Sequence, residues 1–374
     1  MHTISRIYFG SISLCLLYLG RAEANKYRLK DTFVGDDFFK EWTWETFQDP
    51  THGRVNYVDR NAAIAKNLSF VQDNQFYMKA DDYSMVDIDS RGRDSVRVRS
   101  NAAYDSALMV LDLSHMPEGC GTWPAWWTLS AKGPWPIGGE IDIIEGVNLN
   151  DRNAATLHTS AGCVMMEPRN QKGYGCLTFY SGQVPGLTKL DGQDGVSENC
   201  DVAANSNQGC GTRFSGDDSY GPNFNGKGGG WFVLQRDDKS GINVWFWARD
   251  DPSLPHTLRW GSPDLSVERE WGQPEASFSY GGCDYPSHFD AHQMIFDLTF
   301  CGDWAGATFV GSGCPVVSCN EYVDRNPEKF RDAYWAINSL RVYTPSEGWD
   351  DGDGHSPWEH PFNFVHEKLA RIFR

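Results

Sequence analysis

The sequence has no basic excess, no linker, no internal repeat and no long apolar run after its first residues. Without a Pro/Gly/Ser-rich linker or a repeat, the 374 residues favour one domain, although that length is at the upper end for one. A formal net charge of −17 excludes nucleic acid and anionic membranes as probable partners, since both would be repelled. Because no later segment reaches transmembrane length, we expect the mature protein to be soluble.

The first 24 residues have the pattern of a secretory signal peptide. Arg6 supplies the positive charge, residues 12–19 form a short apolar stretch, and Ala22-Glu23-Ala24 fits the small-x-small cleavage rule. The alternative is an uncleaved N-terminal anchor, but the apolar stretch is too short to span a bilayer. We therefore predict a secreted protein whose domain covers residues 25–345. Residues 346–374 form an acidic, turn-rich tail that we expect to be poorly ordered.

Ten cysteines are present, and Cys15 lies within the predicted signal peptide. The oxidising environment of a secreted protein favours disulfides among the other nine, at positions 120, 163, 176, 200, 210, 283, 301, 314 and 319. Because nine is odd, at least one thiol stays free or pairs with another chain. The sequence leaves the pairing open. The spacings lack the C-x-x-C pairs of zinc sites, and we predict neither a metal nor a cofactor.

Alternation with period 2 dominates the chain and is typical of half-buried strands. It occurs at residues 95–100, 107–113, 139–146, 231–234, 243–249, 294–300 and 336–343. Helical patterns are limited to residues 36–42, 326–335 and 362–374. Many short strands separated by turn residues predict an all-β sandwich or jelly roll. Long loops at about 162–230 and 249–286 require cross-links or a function.

Aromatic residues make up 14% of the chain and include 15 Trp. An indole N–H needs a hydrogen-bond partner when it is buried, which makes a core an expensive place for many tryptophans. Flat aromatic faces along a groove can instead stack on the C–H edges of sugar rings. A large aromatic core is the alternative, and we expect it to hold about half of the tryptophans.

Residues 138–148, GGEIDIIEGVN, place three acids on one predicted strand. Glu140 and Asp142 are two residues apart and share a face, while the intervening isoleucines point into the core. Strict alternation would bury Glu145, and an unpaired buried carboxylate is costly. We therefore predict a β-bulge near Ile143–Ile144 that returns Glu145 to the acid face.

Two glutamates that lean together from this strand can bring their carboxyl groups to the ~5–5.5 Å that a retaining glycosidase requires. One carboxylate attacks the anomeric carbon, and the other protonates the leaving oxygen and then activates water. The charge of Asp142 between them helps to keep the acid protonated near neutral pH. A solvated acidic edge or a set of calcium ligands is the alternative. Apolar flanks and nearby tryptophans favour catalysis.

The segment GEIDIIEGVN resembles the active-site strand of glycoside hydrolase family 16 in its laminarinase-like form. The chain is similar to the fungal endo-1,3(4)-β-glucanases of that family from about residue 27 to 344, with further motifs at 119–127, 156–159, 219–230, 244–250 and 296–306. The resemblance implies a concanavalin A-like β-jelly roll with a substrate cleft on its concave sheet. It also implies retaining hydrolysis of β-1,3-glucan or mixed β-1,3/1,4-glucan. By motif position, Glu140 is the nucleophile, Glu145 the general acid/base and Asp142 the assisting residue.

Five residues around the acid strand are predicted to bind substrate. His158 lies on the next predicted strand, where it can hydrogen-bond Asp142, Glu145 or a sugar hydroxyl. Trp123 and Trp127 are four residues apart, so that they share a strand face and can stack on sugar rings. Trp135 and Trp304 are predicted to do so from loops, and Trp304 resembles a cleft tryptophan of the family.

Other nearby residues have mainly structural predictions. Trp126 points away from its two neighbours and is predicted to lie in the core. Asn148 is predicted to be a turn residue rather than a substrate ligand. Arg97 and Arg99 share a strand face, from which either one reaches the cleft or both are solvated. Asn67 begins an Asn-x-Ser sequon and is a candidate glycosylation site.

Two other functions share this fold. A transglycosylase uses the same residues and the same covalent intermediate, and differs in how water reaches the acceptor site. The C-terminal end lacks the apolar tail of a GPI signal, which argues against a wall-anchored transglycosylase. A non-catalytic glucan-binding protein would lose the catalytic glutamates, and both are present. We therefore predict a β-glucan as the partner, with no nucleic acid and no membrane, and a monomer.

Overall fold

The computed structural model describes residues 26–165 and 197–346, which form two β-sheets packed around a shared apolar core. The strands are β1 (Lys26–Phe33), β2 (Trp42–Trp44), β3 (Val55–Tyr57), β4 (Ser69–Gln72), β5 (Gln75–Lys79), β6 (Arg93–Ser95), β7 (Arg97–Tyr104), β8 (Ala107–His115), β9 (Thr122–Ser130), β10 (Glu140–Glu145), β11 (Ala154–His158), β12 (Cys210–Arg213), β13 (Gly230–Asp237), β14 (Gly241–Ala248), β15 (Asp264–Ser266), β16 (Ala276–Phe278), β17 (His292–Phe300) and β18 (Tyr334–Pro345). Short helices are α1 (Asp37–Glu41), α2 (Arg60–Ala65), α3 (Gly221–Gly226), α4 (His256–Trp260), α5 (Tyr285–His288) and α6 (Cys319–Arg325).

Antiparallel pairing organises both sheets. The larger sheet has nine strands in the order β15-β1-β18-β8-β13-β14-β16, with β5 added to β18 and β4 added to β5. The smaller sheet has seven strands in the order β12-β11-β10-β9-β17-β7-β2. A short parallel pair, β3 and β6, lies beside them. This architecture confirms the predicted all-β jelly-roll sandwich.

All seven predicted strands are present. Successive side chains of a strand point to opposite faces, so a strand with one face buried in the sandwich has apolar residues at every second position. The helical pattern at 36–42 corresponds to α1. The pattern at 326–335 was wrong in its second half: a short 3₁₀ turn ends at Phe330 and β18 begins at Tyr334. Pairing of β18 with β5 outweighs local helix propensity there. The predicted signal peptide, the 362–374 pattern and nearly all of the predicted tail lie outside the described residues.

The core lies between the sheets and is rich in aromatic rings. Trp126 is fully buried and stacks on Phe296 with 5.8 Å between ring centroids, as predicted for a core residue. Of the 13 tryptophans in the described residues, eight are buried, which agrees with the expectation that the core holds about half of the tryptophans. One face of the smaller sheet packs on this core, and its other face is free to carry polar side chains.

Four disulfides connect eight of the nine cysteines that follow the predicted signal peptide. They are Cys120–Cys314, Cys163–Cys283, Cys200–Cys210 and Cys301–Cys319. The ninth, Cys176, lies outside the described residues. Cys163–Cys283 joins the two predicted long loops to each other, which meets the expected need for cross-links. Within the described segments, no helix is long and apolar enough to cross a membrane.

Candidate active site

Strand β10 contains the predicted bulge. Against β9, Asp142 is paired with Trp127 and Ile144 with Trp126, so that Ile143 is the extra residue. The isoleucines of β10 are fully buried, whereas Glu140 and Glu145 stay partly exposed on the face opposite the core. The bulge therefore places all three acids on one face of the smaller sheet, as alternation and the cost of burying a carboxylate predicted.

Asn153 supports the bulge. Its Nδ2 donates to the backbone carbonyl of Ile143 at 2.7 Å, and its Oδ1 accepts the backbone N–H of Glu145 at 3.0 Å. These are backbone groups that the bulge removes from the regular ladder, and an unpaired buried amide is costly. Sequence reasoning missed Asn153. The only available signal was an Asn in the turn between the acid strand and the next strand.

Indole N–H groups hold the two glutamates. Trp135 Nε1 donates to Glu140 Oε2 at 2.8 Å, and Trp123 Nε1 donates to Glu145 Oε1 at 2.9 Å. Trp304 meets Trp123 edge to face, with ring centroids 5.7 Å apart. The structure thus brings these predicted tryptophans to the acid face. Their indole nitrogens also orient carboxylates, which the sequence did not indicate.

His158 lies directly opposite Glu140 in the β10–β11 pairing. Its Nε2 is 3.5 Å from Asp142 Oδ2, as the prediction of a carboxylate neighbour required. Its Nδ1 is 3.0 Å from Asn207 Oδ1, on a segment far along the chain. The imidazole is almost buried, at 8% exposed. Burial accordingly lowers the pKa of His158, although the charge of Glu145 acts in the opposite direction.

Burial raises the pKa of each of the three acids. Burial raises the pKa of Glu140 to about 7, against the lowering effects of the Trp135 hydrogen bond and of Arg97. Burial likewise raises the pKa of Glu145 to about 7, with Glu140 adding to the increase and Trp123 opposing it. The pKa of Asp142 lies well above its usual value, because burial and both glutamates disfavour its charge. The cluster therefore retains protons near neutral pH, as general acid catalysis requires.

A buried ion pair joins β17 and β7, which β9 separates from the acid strand β10. Asp297 on β17 accepts Arg97 Nη1 at 2.9 Å and Trp127 Nε1 at 3.2 Å. The Arg97 guanidinium also contacts Glu45 at 2.8 Å and lies 4.9 Å from the centre of the Trp127 ring.

The alternative that both arginines are solvated was therefore wrong, because Arg97 is buried against the Trp127 ring. Arg99 pairs with the same Glu45 at 2.9 Å and remains partly exposed. Sequence reasoning missed Asp297 as a site neighbour. Its signal was alternation on the strand 294–300, where Asp297 and Thr299 share a polar face.

Asn148 has the structural role that was predicted. Its φ is 52°, the left-handed region that Asn tolerates, and its side chain is buried. Oδ1 accepts the N–H of Gly121, and Nδ2 donates to the carbonyl of Ala305 at 2.9 Å. Asn148 thus ties the end of the acid strand to the turn that carries Trp304.

Three residues of the site could in principle hold a cation. Glu140, Asp142 and His158 each offer a ligand atom, all within 4.8 Å of one another, and the described segments contain no second group of this kind. Carboxylate and imidazole groups do bind divalent metals. The raised pKa values of the acids make shared protons a sufficient account of the cluster, and we do not assign these residues as metal ligands.

A pair of proton-retaining carboxylates among tryptophans on one face of a β-sandwich is an arrangement typical of glycoside hydrolases. Residues 42–343 match the family model described as "XgeA-like, catalytic GH16 domain". The chain therefore belongs to glycoside hydrolase family 16, which confirms the resemblance seen in the sequence.

Relatives of this chain occur in several fungi. It is 40% identical over 324 residues to a probable glycosidase of Schizosaccharomyces pombe, covering 86% of this chain and 70% of that protein. It is 38% identical to an endo-1,3(4)-β-glucanase of Arthroderma benhamiae, covering 85% and 65%. For the corresponding Emericella nidulans protein the identity is 37%, and the shares are 89% and 50%. The chain thus spans half to two thirds of the length of these two β-glucanases.

Solved structures support the same fold. Laminarinase 16A from Phanerochaete chrysosporium, in complex with 6-O-glucosyl-laminaritriose in its donor and acceptor sites, is 44% identical with a TM-score of 0.76. An elongating family 16 β-1,3-glucosyltransferase is 35% identical with a TM-score of 0.71. Each match covers 85% of this chain and 100% of the other chain.

Proposed function

We propose that the protein is a secreted endo-β-glucanase that hydrolyses β-1,3-glucan or mixed β-1,3/1,4-glucan with retention of configuration. Glu140 is the nucleophile, Glu145 the general acid/base, and Asp142 the assisting residue between them. The chain uses a glycosyl-enzyme ester on Glu140 as its intermediate. Domain and cleft are contained in residues 25–345.

One observation carries this proposal: the Ile143 bulge places Glu140 and Glu145 on one sheet face, and a tryptophan holds each carboxylate. Retention needs one carboxylate to attack while the second is protonated. The pKa values of both glutamates, raised to about 7, allow a single shared proton near neutral pH. Asp142 and His158 supply a neighbouring pair through which that proton can be held.

Sugar rings are proposed to stack along the tryptophans of the acid face. Trp123, Trp127 and Trp304 are partly exposed there, and Trp135 is 45% exposed at the Glu140 end. Aromatic platforms combine a large apolar contact with a polar indole edge. Here the edges of Trp123 and Trp135 are turned to the glutamates, which aligns any stacked ring with the reacting groups.

The first test is Glu140→Gln with laminarin and barley-type mixed-linkage glucan as substrates. We expect hydrolysis to be lost while the circular dichroism spectrum and glucan binding stay intact. Glu275→Gln is a matched control, because Glu275 is a buried glutamate of the larger sheet region that accepts the Ser215 backbone N–H. Continued hydrolysis by Glu140→Gln would refute the assignment of Glu140 as the nucleophile.

Azide separates the two glutamate roles. With an activated aryl glycoside, azide can enter the space vacated in Glu140→Ala and give a product of inverted configuration. In Glu145→Ala the covalent intermediate still forms, and azide then gives a product of retained configuration. Identical stereochemistry from both variants would refute the assigned roles.

Glucan transfer is the second candidate, and the similarity to an elongating β-1,3-glucosyltransferase favours it. A transferase and a hydrolase share the covalent intermediate, and the acceptor decides the outcome. Mass spectrometry of products from a defined laminari-oligosaccharide distinguishes them. Chains longer than the substrate indicate transfer, whereas only shorter chains indicate hydrolysis.

Secretion and glycosylation are parts of the same proposal. Four disulfides suit an oxidising compartment. Asn67 is exposed just after α2, where a modifying enzyme can reach it. Expression in a eukaryotic host should yield cleavage after Ala24 and a mobility shift that glycosidase treatment or Asn67→Gln removes. Sedimentation equilibrium tests the expected monomer.

A further inference from the structure

A short loop closed by a disulfide surrounds His158. We call residues 200–210 the 200–210 loop, and Cys200–Cys210 joins its two ends. Thr159 N–H donates to the Cys200 carbonyl at 2.8 Å, and Leu157 pairs with Cys210 in the β11–β12 ladder. The loop therefore leaves and rejoins β11 on either side of His158, and it cannot shift without breaking these contacts.

The loop backbone has an uncommon conformation. Asn205, Ser206 and Asn207 have φ values of 48°, 57° and 61°, so three successive non-glycine residues are left-handed. For a non-glycine residue the left-handed conformation costs free energy, and it is stable only where surrounding contacts impose it. The result of this conformation is that the Asn207 amide points at the imidazole, with Oδ1 3.0 Å from His158 Nδ1.

Gly209 lets the same loop lie against the ring. Its φ is 65°, and a Cβ at this position would be 2.8 Å from His158 Cε1 and 2.6 Å from the Leu157 carbonyl oxygen. Contact at that distance forces a shift of the neighbour. The loop thus touches the imidazole at two points, the Nδ1 edge through Asn207 and the Cε1 edge through Gly209.

Contact with an amide oxygen selects the tautomer of His158. An oxygen can only accept, so Nδ1 carries the proton and Nε2 of the neutral ring is an acceptor. Nε2 faces Asp142 Oδ2 at 3.5 Å, and that oxygen is buried without a hydrogen-bond partner among the described residues. A protonated Asp142 Oδ2 can donate a hydrogen bond to Nε2 once the two atoms approach from 3.5 Å to hydrogen-bond distance.

Few charged or titratable groups face the His158 imidazole from the neighbouring strands and the 200–210 loop. Glu140, Asp142 and Glu145 face it from β10. In the 200–210 loop the only titratable group is Asp201, whose carboxylate accepts the Ala203 N–H at 3.0 Å. The one charged residue of β12, Arg213, lies at its far end opposite Ala154.

We propose that Asn207 is a positioning residue: through its contact with Nδ1 it fixes the His158 tautomer that holds the Asp142 proton between the two glutamates. This proposal rests on the proposed function of the site, and it deepens that function by assigning a task to the 200–210 loop. Hydrogen-bond partners that orient a metal-ligating histidine change activity by about 10–100-fold, and we use the lower end of that range as the expected size here.

The test compares Asn207→Gly with Asn205→Gly. Glycine accepts the left-handed backbone of either position, so both variants keep the loop conformation. Only the first removes the amide from His158, since Asn205 Nδ2 donates instead to Ser197 Oγ at 2.8 Å. For Asn207→Gly on laminarin we expect kcat to fall by about tenfold, with a smaller change in KM. We also expect the pH profile of kcat/KM to move by about one unit.

A spectroscopic readout keeps this test independent of activity. Long-range ¹H–¹⁵N spectra of histidine-labelled protein report which ring nitrogen is protonated, and His158→Gln identifies the signal. We expect the Nδ1–H form in the wild type and in Asn205→Gly, and a mixture in Asn207→Gly. Asn207→Asp keeps an acceptor oxygen and should restore the Nδ1–H form and most of kcat.

An Nε2–H tautomer in the wild type, or identical pH profiles for the wild type and Asn207→Gly, would overturn the proposal. These results differ from a failure of the proposed function. In that case glucan is not cleaved by the wild type or Glu140→Gln has full activity, while the tautomer measurement still decides the role of Asn207.

Discussion

Trp127 donates its indole N–H to Asp297 Oδ2 at 3.2 Å, from β9 to the adjacent strand β17. The same oxygen accepts Arg97 Nη1, so that a buried ion pair lies beneath a proposed sugar platform. The orientation of that indole is therefore set by charge pairing in the sheet as well as by packing.

Asp297→Asn should move the pH profile downward. Asp297 raises the pKa of Asp142 and of Glu145, and the neutral amide removes that effect. Because the general acid must be protonated, the alkaline limb of kcat/KM should shift to lower pH, by roughly half a unit. Asp264→Asn, an exposed aspartate on β15, is the control. An unchanged or upward-shifted limb would contradict the charge argument.

Trp123→Phe should move the pH profile of kcat/KM upward, opposite to the shift expected for Asp297→Asn. The Trp123 hydrogen bond lowers the pKa of Glu145, and phenylalanine keeps an aromatic face but loses the donor. A hydrogen bond to a charged group contributes about 1.5–3 kcal/mol, so the alkaline limb should rise by about one to two pH units. Trp260→Phe changes an exposed tryptophan of α4 and should leave the profile unchanged. A downward shift in Trp123→Phe would be incompatible with this role.

The acid cluster should make stability fall as pH rises. The pKa of Glu145 is raised from 4.5 to about 7 in the folded protein. A raised pKa in the folded state contributes stability that is complete below about pH 4.5 and is lost as pH rises through about 7. Glu145→Gln removes this dependence. We expect it to be more stable than the wild type at pH 8, by up to roughly 3 kcal/mol, and to lose that advantage at pH 5.

Calorimetric melting at several pH values measures this difference. Glu275→Gln, a buried glutamate away from the acid face, is the control for the substitution itself. If the difference between wild type and Glu145→Gln were the same at pH 5 and pH 8, the cluster would not be titrating in this window.

Gly209→Ala and Gly272→Ala separate backbone strain from ring displacement. Both glycines are left-handed, with φ values of 65° and 69°, so alanine costs a similar ~1–2 kcal/mol in each. A Cβ at Gly272 meets nothing within 4 Å, whereas one at Gly209 meets His158. Gly209→Ala should lose more Tm than Gly272→Ala, because its Cβ also meets the Leu157 carbonyl oxygen at 2.6 Å, and it alone should show a large loss of kcat. Equal kcat values in the two variants would show that the 200–210 loop does not position the ring.

The local sequence pattern was sufficient to predict many strands of the sandwich and the placement of the three acids on one strand face. The seven predicted strands, the core position of Trp126 and the bulge near Ile143 all follow from period-2 alternation and the cost of burying an unpaired carboxylate. Where alternation was weak, at residues 326–335, the helical pattern gave way to pairing with a distant strand.

By itself the sequence determined which side chains share a strand face, because the alternation of Cβ directions is a property of each strand alone. Only the tertiary structure decided that Asn207 meets His158, 49 residues away, and that Arg97 meets Asp297, 200 residues away. Such contacts depend on strand order, on the four disulfide pairings and on the register between strands. These are relations between segments, and no local sequence pattern contains them.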